Sequence, residues 1–147
     1  MNQSERWSSW VVVAAVLFTG FGAAHLIDDF LYGLPADFGL SNELGQAVAV
    51  VYFITTGLLL VLAARGSKTG YIGNMGFGLF LLLADSLKHG SEGLFLGPWR
   101  SGWFSRGLAF STLLLSIGLV VISYRAWRLC SGQAKRCEAE SSLPTIN

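Results

Sequence analysis

The sequence predicts an all-α integral membrane protein, an up-down bundle of four transmembrane helices. Hydrophobic residues make up 52% of the 147 residues and charged residues only 13%, about half the charged share of a typical soluble domain. Four apolar stretches are each long enough to cross roughly 30 Å of hydrocarbon, which takes about 20 helical residues. Because these stretches are continuous and do not alternate, they favour helices over the strands of a β-barrel.

The four predicted spans are joined by short connections. In chain order they are Val11–Leu31, Leu44–Ala64, Tyr71–Lys88 and Phe104–Tyr124. The first span is near the amino terminus, as a signal peptide would be, but its apolar character continues beyond the small residues around Ala24. We therefore expect the first span to be retained, with cleavage as the alternative.

Small residues within the spans predict close helix packing, because lipid tails leave helices no hydrophobic drive to associate. Pairs of small residues four apart occur in three spans: Gly20 with Ala24, Gly45 with Ala49, and Gly107 with Ser111. The third span starts with glycines at positions 70, 73, 76 and 78. We interpret these glycines as close contacts with a neighbouring helix, and a flexible or broken helix start is the alternative.

The distribution of basic residues predicts that both termini lie on the cytoplasmic side of the cell membrane. Seven basic residues lie in the terminal segments and the second connection: Arg6, Arg65, Lys68, Arg125, Arg128, Lys135 and Arg136. The remaining three, Lys88, Arg100 and Arg106, lie in the third connection or in the span ends beside it, on the other side. Short cytoplasmic connections are enriched in Lys and Arg, which favours this orientation.

Residues 1–130 form one predicted domain of four transmembrane helices, followed by a polar tail at 131–147 that we expect to be disordered. Cys130 and Cys137 fall on the predicted reducing side, so we expect free thiols. The lipid bilayer is the expected partner. A second copy of this chain or another membrane subunit is a further candidate partner. The net charge of +1 gives no indication of nucleic-acid binding.

Ionisable side chains occur at matching depths in the first and third spans. His25, Asp28 and Asp29 are spaced i, i+3 and i+4, so they share one face of a helix. The third span has a similar face, formed by Asp85, Lys88, His89 and Glu92. Because a charge in hydrocarbon costs about 2.5–3.5 kcal/mol, both faces should turn inward and meet.

We therefore predict a polar pocket near the outer mouth of the bundle. Its candidate residues are His25, Asp29, Asp85, His89 and Glu92. The candidates for salt bridges that close this mouth are Asp28, Lys88, Arg100 and Arg106. Asp29 is preferred over Asp28 for the pocket because it lies only about 40° from His25 around the helix.

Three kinds of chemistry fit this set of residues. His25, Asp29, Asp85 and His89 would form a ligand set for a divalent metal ion, the expected cofactor under this hypothesis, although their spacing matches no zinc motif. The same groups would relay protons or admit small polar solutes, because histidine titrates near neutral pH. Structural pairing among the salt-bridge candidates is the third alternative.

One segment resembles a known family. Residues 20–29, Gly-Phe-Gly-Ala-Ala-His-Leu-Ile-Asp-Asp, are similar to the first-helix pattern of the emopamil-binding (EXPERA) family. The resemblance implies a four-helix domain with an acid-lined cavity, in a family that includes sterol isomerases. The second span departs from the family, because its interior has Gln46, Tyr52, Thr55 and Thr56 but no acid. No catalytic residue is therefore transferred to this chain.

Three functional hypotheses follow, and they leave enzymatic activity open. The leading one is a small binding or transport-related membrane protein whose pocket holds a metal ion, a proton or a small polar solute. The second is an intramembrane enzyme or binder acting on a lipid-like substrate, which requires a cavity reaching His25 or Asp85. The third is an accessory subunit that packs against a larger membrane complex through its small residues.

Overall fold

The computed structural model describes residues 3–37, 39–91 and 102–141, except for the side chains at positions 4, 34, 37, 88–91 and 133–141. Its helices are α1 (Gln3–Leu31), α2 (Leu34–Asp37), α3 (Asn42–Ala64), α4 (Lys68–Ser91) and α5 (Trp103–Ser141). Within this part of the chain, four helices are long and apolar enough to cross a membrane. The prediction of an all-helical chain with four long apolar helices is confirmed.

Two helices extend well beyond the predicted spans. Helix α1 begins at Gln3, before the predicted start at Val11, and α5 continues to Ser141. Positions 131–141, the first part of the predicted disordered tail, are therefore helical, whereas positions 142–147 lie outside the described residues. Seven of the nine residues at 133–141 are alanine, glutamate, glutamine, lysine or arginine, which favour helix even where no apolar face requires one.

Short connections fix how neighbouring helices follow each other. After α1, Gly33 takes a positive φ of 79° and leads into the single turn of α2. Ser41 then caps α3, where its hydroxyl accepts the amide of Leu44 at 3.3 Å. Between α3 and α4, Gly66 has a φ of 70°, a left-handed conformation that suits glycine at the end of a helix. Only three residues, 65–67, connect α3 to α4.

The four long helices pack as a ring. Helix α1 contacts α3 and α5, and α4 contacts the same two helices, so α1 and α4 occupy opposite corners. The most extensive contacts are those of α5 with α1 and with α4. Residues from α1 and α4 therefore meet only across the middle of the ring, where α3 and α5 also contribute side chains.

The core of the bundle is made mostly of small or slender side chains. One buried cluster contains Val11, Ala63, Tyr71 and Ala126, and a second contains Ala14, Ala15, Phe18 and Leu119. Most of the large apolar side chains instead point outward; Val51, Leu58 and Phe80 are each more than half exposed. Small residues at the helix interfaces and large apolar residues on the outer surface are typical of helices packed in lipid.

Glycines at the start of α4 bring it against α3. A Cβ at Gly70 would lie 2.5 Å from the carbonyl carbon of Leu62, so only glycine fits this approach. Asn74, one turn later, is buried and donates from Nδ2 to the carbonyls of Leu59 at 3.0 Å and Gly70 at 2.8 Å. Because α4 is continuous from Lys68 onward, these residues support close packing and not a broken helix.

The other small-residue pairs behave differently from one another. Gly45 is buried, and a Cβ there would lie 2.8 Å from Pro35 Cγ and 3.1 Å from the Phe30 ring, so the predicted contact is confirmed. Gly20 and Gly107 are both exposed, and no described atom comes within 4 Å of a Cβ added at either position. The predicted contacts at these two glycines are wrong for the part of the bundle that the structure describes.

Candidate functional site

A cavity of about 240 Å³ lies where the four long helices converge, and we call it the acidic cavity. Its walls come from every long helix of the ring. The lining residues are Gly22, His25, Leu26 and Asp29 of α1; Val48, Ala49 and Tyr52 of α3; Leu81, Ala84 and Asp85 of α4; and Thr112 of α5. Most of the wall is apolar, so its few polar groups determine what the cavity can bind.

Helix α1 supplies an imidazole and a carboxylate to the acidic cavity. His25 and Asp29 are 7% and 9% exposed, and His25 Nε2 lies 3.8 Å from Asp29 Oδ2. This separation is too long for a hydrogen bond but short enough for an ion pair when the imidazole is protonated. The predicted common face of these two residues is therefore present, since one turn of helix brings them together.

Helix α4 supplies the second carboxylate. Asp85 is half-buried and lines the same cavity as His25 and Asp29, although α4 lies opposite α1 in the ring. The structure thus brings three of the predicted pocket residues around one space. The side chains of His89 and Glu92, the other two pocket candidates, lie outside the described residues, as does that of Lys88. Their participation stays a prediction.

Two hydroxyl groups complete the polar wall, and neither belongs to a residue that was predicted to line the pocket. The Tyr52 hydroxyl and the Thr112 hydroxyl are buried, and neither has a hydrogen-bond partner among the described atoms. Thr112 is 3% exposed. A buried hydroxyl without a partner costs about 1–3 kcal/mol, so a polar ligand in the cavity would gain hydrogen bonds from both groups.

Gly22 makes the position of Tyr52 possible. A Cβ at Gly22 would lie 3.3 Å from Tyr52 Cζ and would collide with the hydroxyl oxygen. The Tyr52 ring is also held by Phe53 and Phe77, whose ring centroids are 5.1 Å and 5.6 Å away. A small residue in α1 facing an aromatic one in α3 is the signal that could have identified Tyr52, but only once the rotation of both helices was known.

Asp28 faces a different neighbour from Asp29. It is buried, and the Ser105 hydroxyl of α5 donates a hydrogen bond to its Oδ2. The Arg106 guanidinium lies over the Trp103 ring, 4.8 Å from the centroid. The prediction that Asp28 pairs with Arg100 or Arg106 stays a prediction, because Arg100 lies outside the described residues. The preference for Asp29 over Asp28 in the pocket agrees with the cavity lining.

The metal hypothesis gains no support from the geometry. Among the residues that the structure describes, no group of three or more His, Cys, Asp or Glu side chains is arranged to hold a metal ion. His89, one member of the predicted ligand set, has no described side chain. His25, Asp29 and Asp85 do line the acidic cavity, so the predicted pocket is present in part, without a described ligand set for a metal ion.

A second cavity lies at the other end of the bundle, and we call it the terminal cavity. It has a volume of about 480 Å³. Its lining residues are Glu5, Ser8, Ser9, Ala64, Arg65, Gly66, Tyr71, Ala126 and Cys130. The Ser8 hydroxyl donates to the Ala63 carbonyl at 3.0 Å, which joins the start of α1 to the end of α3. No sequence pattern predicted this cavity.

An apolar groove of about 550 Å³ runs along the outside of the bundle between α1 and α3. It is lined by Leu26, Ile27, Phe30, Leu31, Gln46, Ala49, Val50 and Phe53. Leu26 and Ala49 also line the acidic cavity. The groove and the cavity therefore share a thin wall of two side chains.

No family model matches the chain, and neither a curated protein nor a solved structure matches it. The similarity of residues 20–29 to the emopamil-binding family therefore remains a local resemblance. Within that segment, Gly22, His25 and Asp29 line the acidic cavity. The chemistry of these residues and their neighbours is thus the basis on which a function can be assigned.

Proposed function

We propose that the chain is a multi-pass protein of the cell membrane whose four long helices cross the bilayer up and down. The exposed apolar surface supports insertion, since a water-soluble protein rarely exposes so many large apolar side chains. Two contacts support alternating directions. Ser8 near the start of α1 bonds to Ala63 at the end of α3, and Asp28 near the end of α1 bonds to Ser105 at the start of α5.

Both termini are proposed to be cytoplasmic, from the distribution of Lys and Arg. Single cysteines test this orientation in a variant that lacks Cys130 and Cys137. In right-side-out vesicles, a membrane-impermeant maleimide should label a Ser41→Cys variant, whereas a Ser67→Cys variant should be labelled only after permeabilisation. Labelling of the Ser67→Cys variant alone would reverse the proposed orientation.

We propose further that the acidic cavity is a proton-binding site within the membrane. The observation behind this proposal is that His25, Asp29 and Asp85 line one cavity together with the hydroxyls of Tyr52 and Thr112, which have no hydrogen-bond partner among the described atoms. Imidazole is the side chain whose unperturbed form changes charge between pH 5 and 8.

The position of these groups explains why a bound proton would matter. Helix α1 ends at Leu31 and α4 at Ser91, so His25 and Asp85 each lie six residues, or about 9 Å, inside the end of their helix. Ionisable groups at such depth are costly, and in membrane proteins they usually face water or each other and serve proton or ion transfer. A proton taken up there neutralises negative charge and gives the hydroxyls a charged partner.

Proton uptake after an acid jump tests this function directly. The chain has two histidines, so a His89→Gln variant in lipid nanodiscs leaves His25 as its single imidazole. On moving from pH 8 to 5.5, this variant should take up about one proton more than the same variant carrying His25→Gln and Asp85→Asn. Equal uptake by the two proteins would refute proton binding in the acidic cavity.

Glu43 provides a matched control. It is exposed at the start of α3, and an exposed glutamate, whose usual pKa is roughly 4, stays ionised across this range. A Glu43→Gln variant should therefore leave proton uptake unchanged. Elemental analysis of the same preparations tests the metal alternative, because stoichiometric Zn, Mn, Fe or Cu that disappears with His25→Gln would replace proton binding as the function of this site.

A lipid-like ligand is the second candidate, favoured by the apolar groove that shares Leu26 and Ala49 with the acidic cavity. Rotation of the Leu26 side chain would join the two spaces and admit a ligand from the bilayer. Mass spectrometry of the purified protein should then detect a bound lipid that an Ala49→Phe variant loses. Identical lipid content in both proteins would exclude this candidate.

A further inference from the structure

Helix α5 has a row of buried hydroxyls along one side. Ser105, Thr112, Ser116 and Ser123 are separated by seven, four and seven residues, so they lie within about 40° of one line along the helix. Each of them is at most 4% exposed. From Ser105 to Ser123 this hydroxyl row spans about 27 Å at 1.5 Å per residue, close to the thickness of the hydrocarbon layer.

The hydroxyl row runs from the acidic cavity toward the terminal cavity. Thr112 is one of the residues that line the acidic cavity. In the other direction, the same line of α5 continues from Ser123 to Cys130, seven residues on, and Cys130 lines the terminal cavity with Ala126. Among the described residues, the row thus leads from the acidic cavity, which Thr112 lines, toward the terminal cavity, which the same line of α5 reaches at Cys130.

Two hydroxyls of the row have no hydrogen-bond partner among the described atoms. Ser116 donates to the Thr112 carbonyl at 2.8 Å, which is the usual bond of serine within a helix. The hydroxyls of Thr112 and Ser123 make no such bond and have no partner among the described atoms, although Ser123 is 0% exposed. Internal water is the partner that buried hydroxyls take when protein atoms do not supply one.

We propose that the hydroxyl row of α5 is a path for protons, carried by internal water between the acidic cavity and the terminal cavity. This proposal rests on proton binding in the acidic cavity. A proton accepted at His25 would be handed to water at Thr112, pass along Ser116 and Ser123, and leave through the terminal cavity, with no net change at any hydroxyl. Proton relays along polar side chains are a recurring use of polar groups inside membranes.

The apolar core determines which species this path admits. Phe18 and Leu119 are each 1% exposed and pack together in one cluster. Leu119 lies between Ser116 and Ser123 in the sequence of α5, so this cluster lies beside the middle of the row. An apolar constriction opposes the passage of hydrated ions, because water leaves it readily. Protons, which need only a transient chain of water, are the species expected to cross.

Proton flux into liposomes tests the path. Wild-type protein is reconstituted into liposomes that contain a pH-sensitive dye. Potassium and valinomycin hold the membrane potential at zero, and the external solution is then acidified. Ser123→Ala should lower the flux about tenfold, equivalent to one lost hydrogen bond of about 1.4 kcal/mol. Ser111→Ala is the matched control, because Ser111 is half-buried on α5 but lies about 120° away from the row, and its flux should equal that of wild type.

The outcomes separate the path from the site. Wild-type flux no greater than that of empty liposomes, or unchanged flux in Ser123→Ala, would overturn the path even when the acid-jump assay shows proton uptake. Equal proton uptake by the His89→Gln protein and by its His25→Gln, Asp85→Asn derivative in the acid-jump assay would overturn the proposed function itself. Water-edited NMR gives a measurement independent of variants: in the wild-type protein, signals of Thr112 and Ser123 should receive magnetisation from water, and their failure to do so would also overturn the path.

Discussion

The contact between α3 and α4 makes a sharp prediction for Gly70→Ala. The added Cβ would lie 2.5 Å from the Leu62 carbonyl carbon and 2.9 Å from Leu62 Cβ, and closer still to the Ala63 amide nitrogen. Ordinary contacts between carbon atoms are about 3.5–4.0 Å. Because two of these three atoms belong to the backbone of α3, they have no rotamer to change, and α4 must move away by about 1 Å.

The cost of Gly70→Ala has three parts. Forcing a methyl into a packed contact costs about 1–3 kcal/mol. Moving α4 stretches the 3.0 Å bond from Asn74 to the Leu59 carbonyl, which is worth a further 0.5–1.5 kcal/mol, roughly. Alanine regains about 1 kcal/mol over glycine from helix propensity. The net loss of unfolding free energy is therefore about 2 kcal/mol.

Gly76→Ala is the matched control in the same helix. Gly76 is exposed and no described atom lies within 4 Å of its added Cβ, so only the propensity gain of about 1 kcal/mol applies. The two variants should thus differ by about 3 kcal/mol in unfolding free energy, measured by circular dichroism as the fraction of sodium dodecyl sulfate in mixed micelles is raised. Equal stabilities would refute the close α3–α4 contact on which the position of Asp85 depends.

Two further variants test the surroundings of the acidic cavity. Gly22→Ala should displace the Tyr52 ring, which ¹³C-tyrosine NMR would detect as a shift of one of the four tyrosine signals. Gly20→Ala, whose Cβ meets no described atom within 4 Å, should shift none of them. Ser105→Ala removes the hydroxyl that donates to Asp28, so it should lower the unfolding free energy by about 1–3 kcal/mol in the same micelle assay, and a loss below 0.5 kcal/mol would contradict that bond.

Most of the features predicted correctly from the sequence depend on one helix at a time. Apolar length identified the four long helices, and the i, i+4 spacing put His25 and Asp29 on one face. Asp85 lies at the same depth in the third span as His25 in the first, which predicted that the two would meet. Asp85 does line the same cavity as His25 and Asp29. Each of these inferences needs only the period of the helix and the cost of a charge in hydrocarbon.

The features that sequence reasoning missed depend on the rotation of one helix against another. Tyr52 and Thr112 look like ordinary residues of apolar spans until α3 and α5 are placed around the cavity. The same cause explains the error at Gly20 and Gly107, which match a packing pattern but face outward. Spacing within a helix identifies which residues share a face, but not which neighbour that face meets.

The small size of the α5 hydroxyl residues allows a purely structural explanation, and one comparison separates it from a polar path. Helix α5 packs against both α1 and α4, and serine lets helices approach closely whether or not its hydroxyl is used. Alanine keeps that size and removes only the oxygen.

If Ser123 serves packing alone, Ser123→Ala removes a buried hydroxyl that has no partner among the described atoms and should stabilise the bundle without affecting proton flux. If Ser123 belongs to a path, the same substitution leaves the fold intact or more stable and yet reduces the flux. Stability and flux therefore move in opposite directions only when the hydroxyl itself has a function.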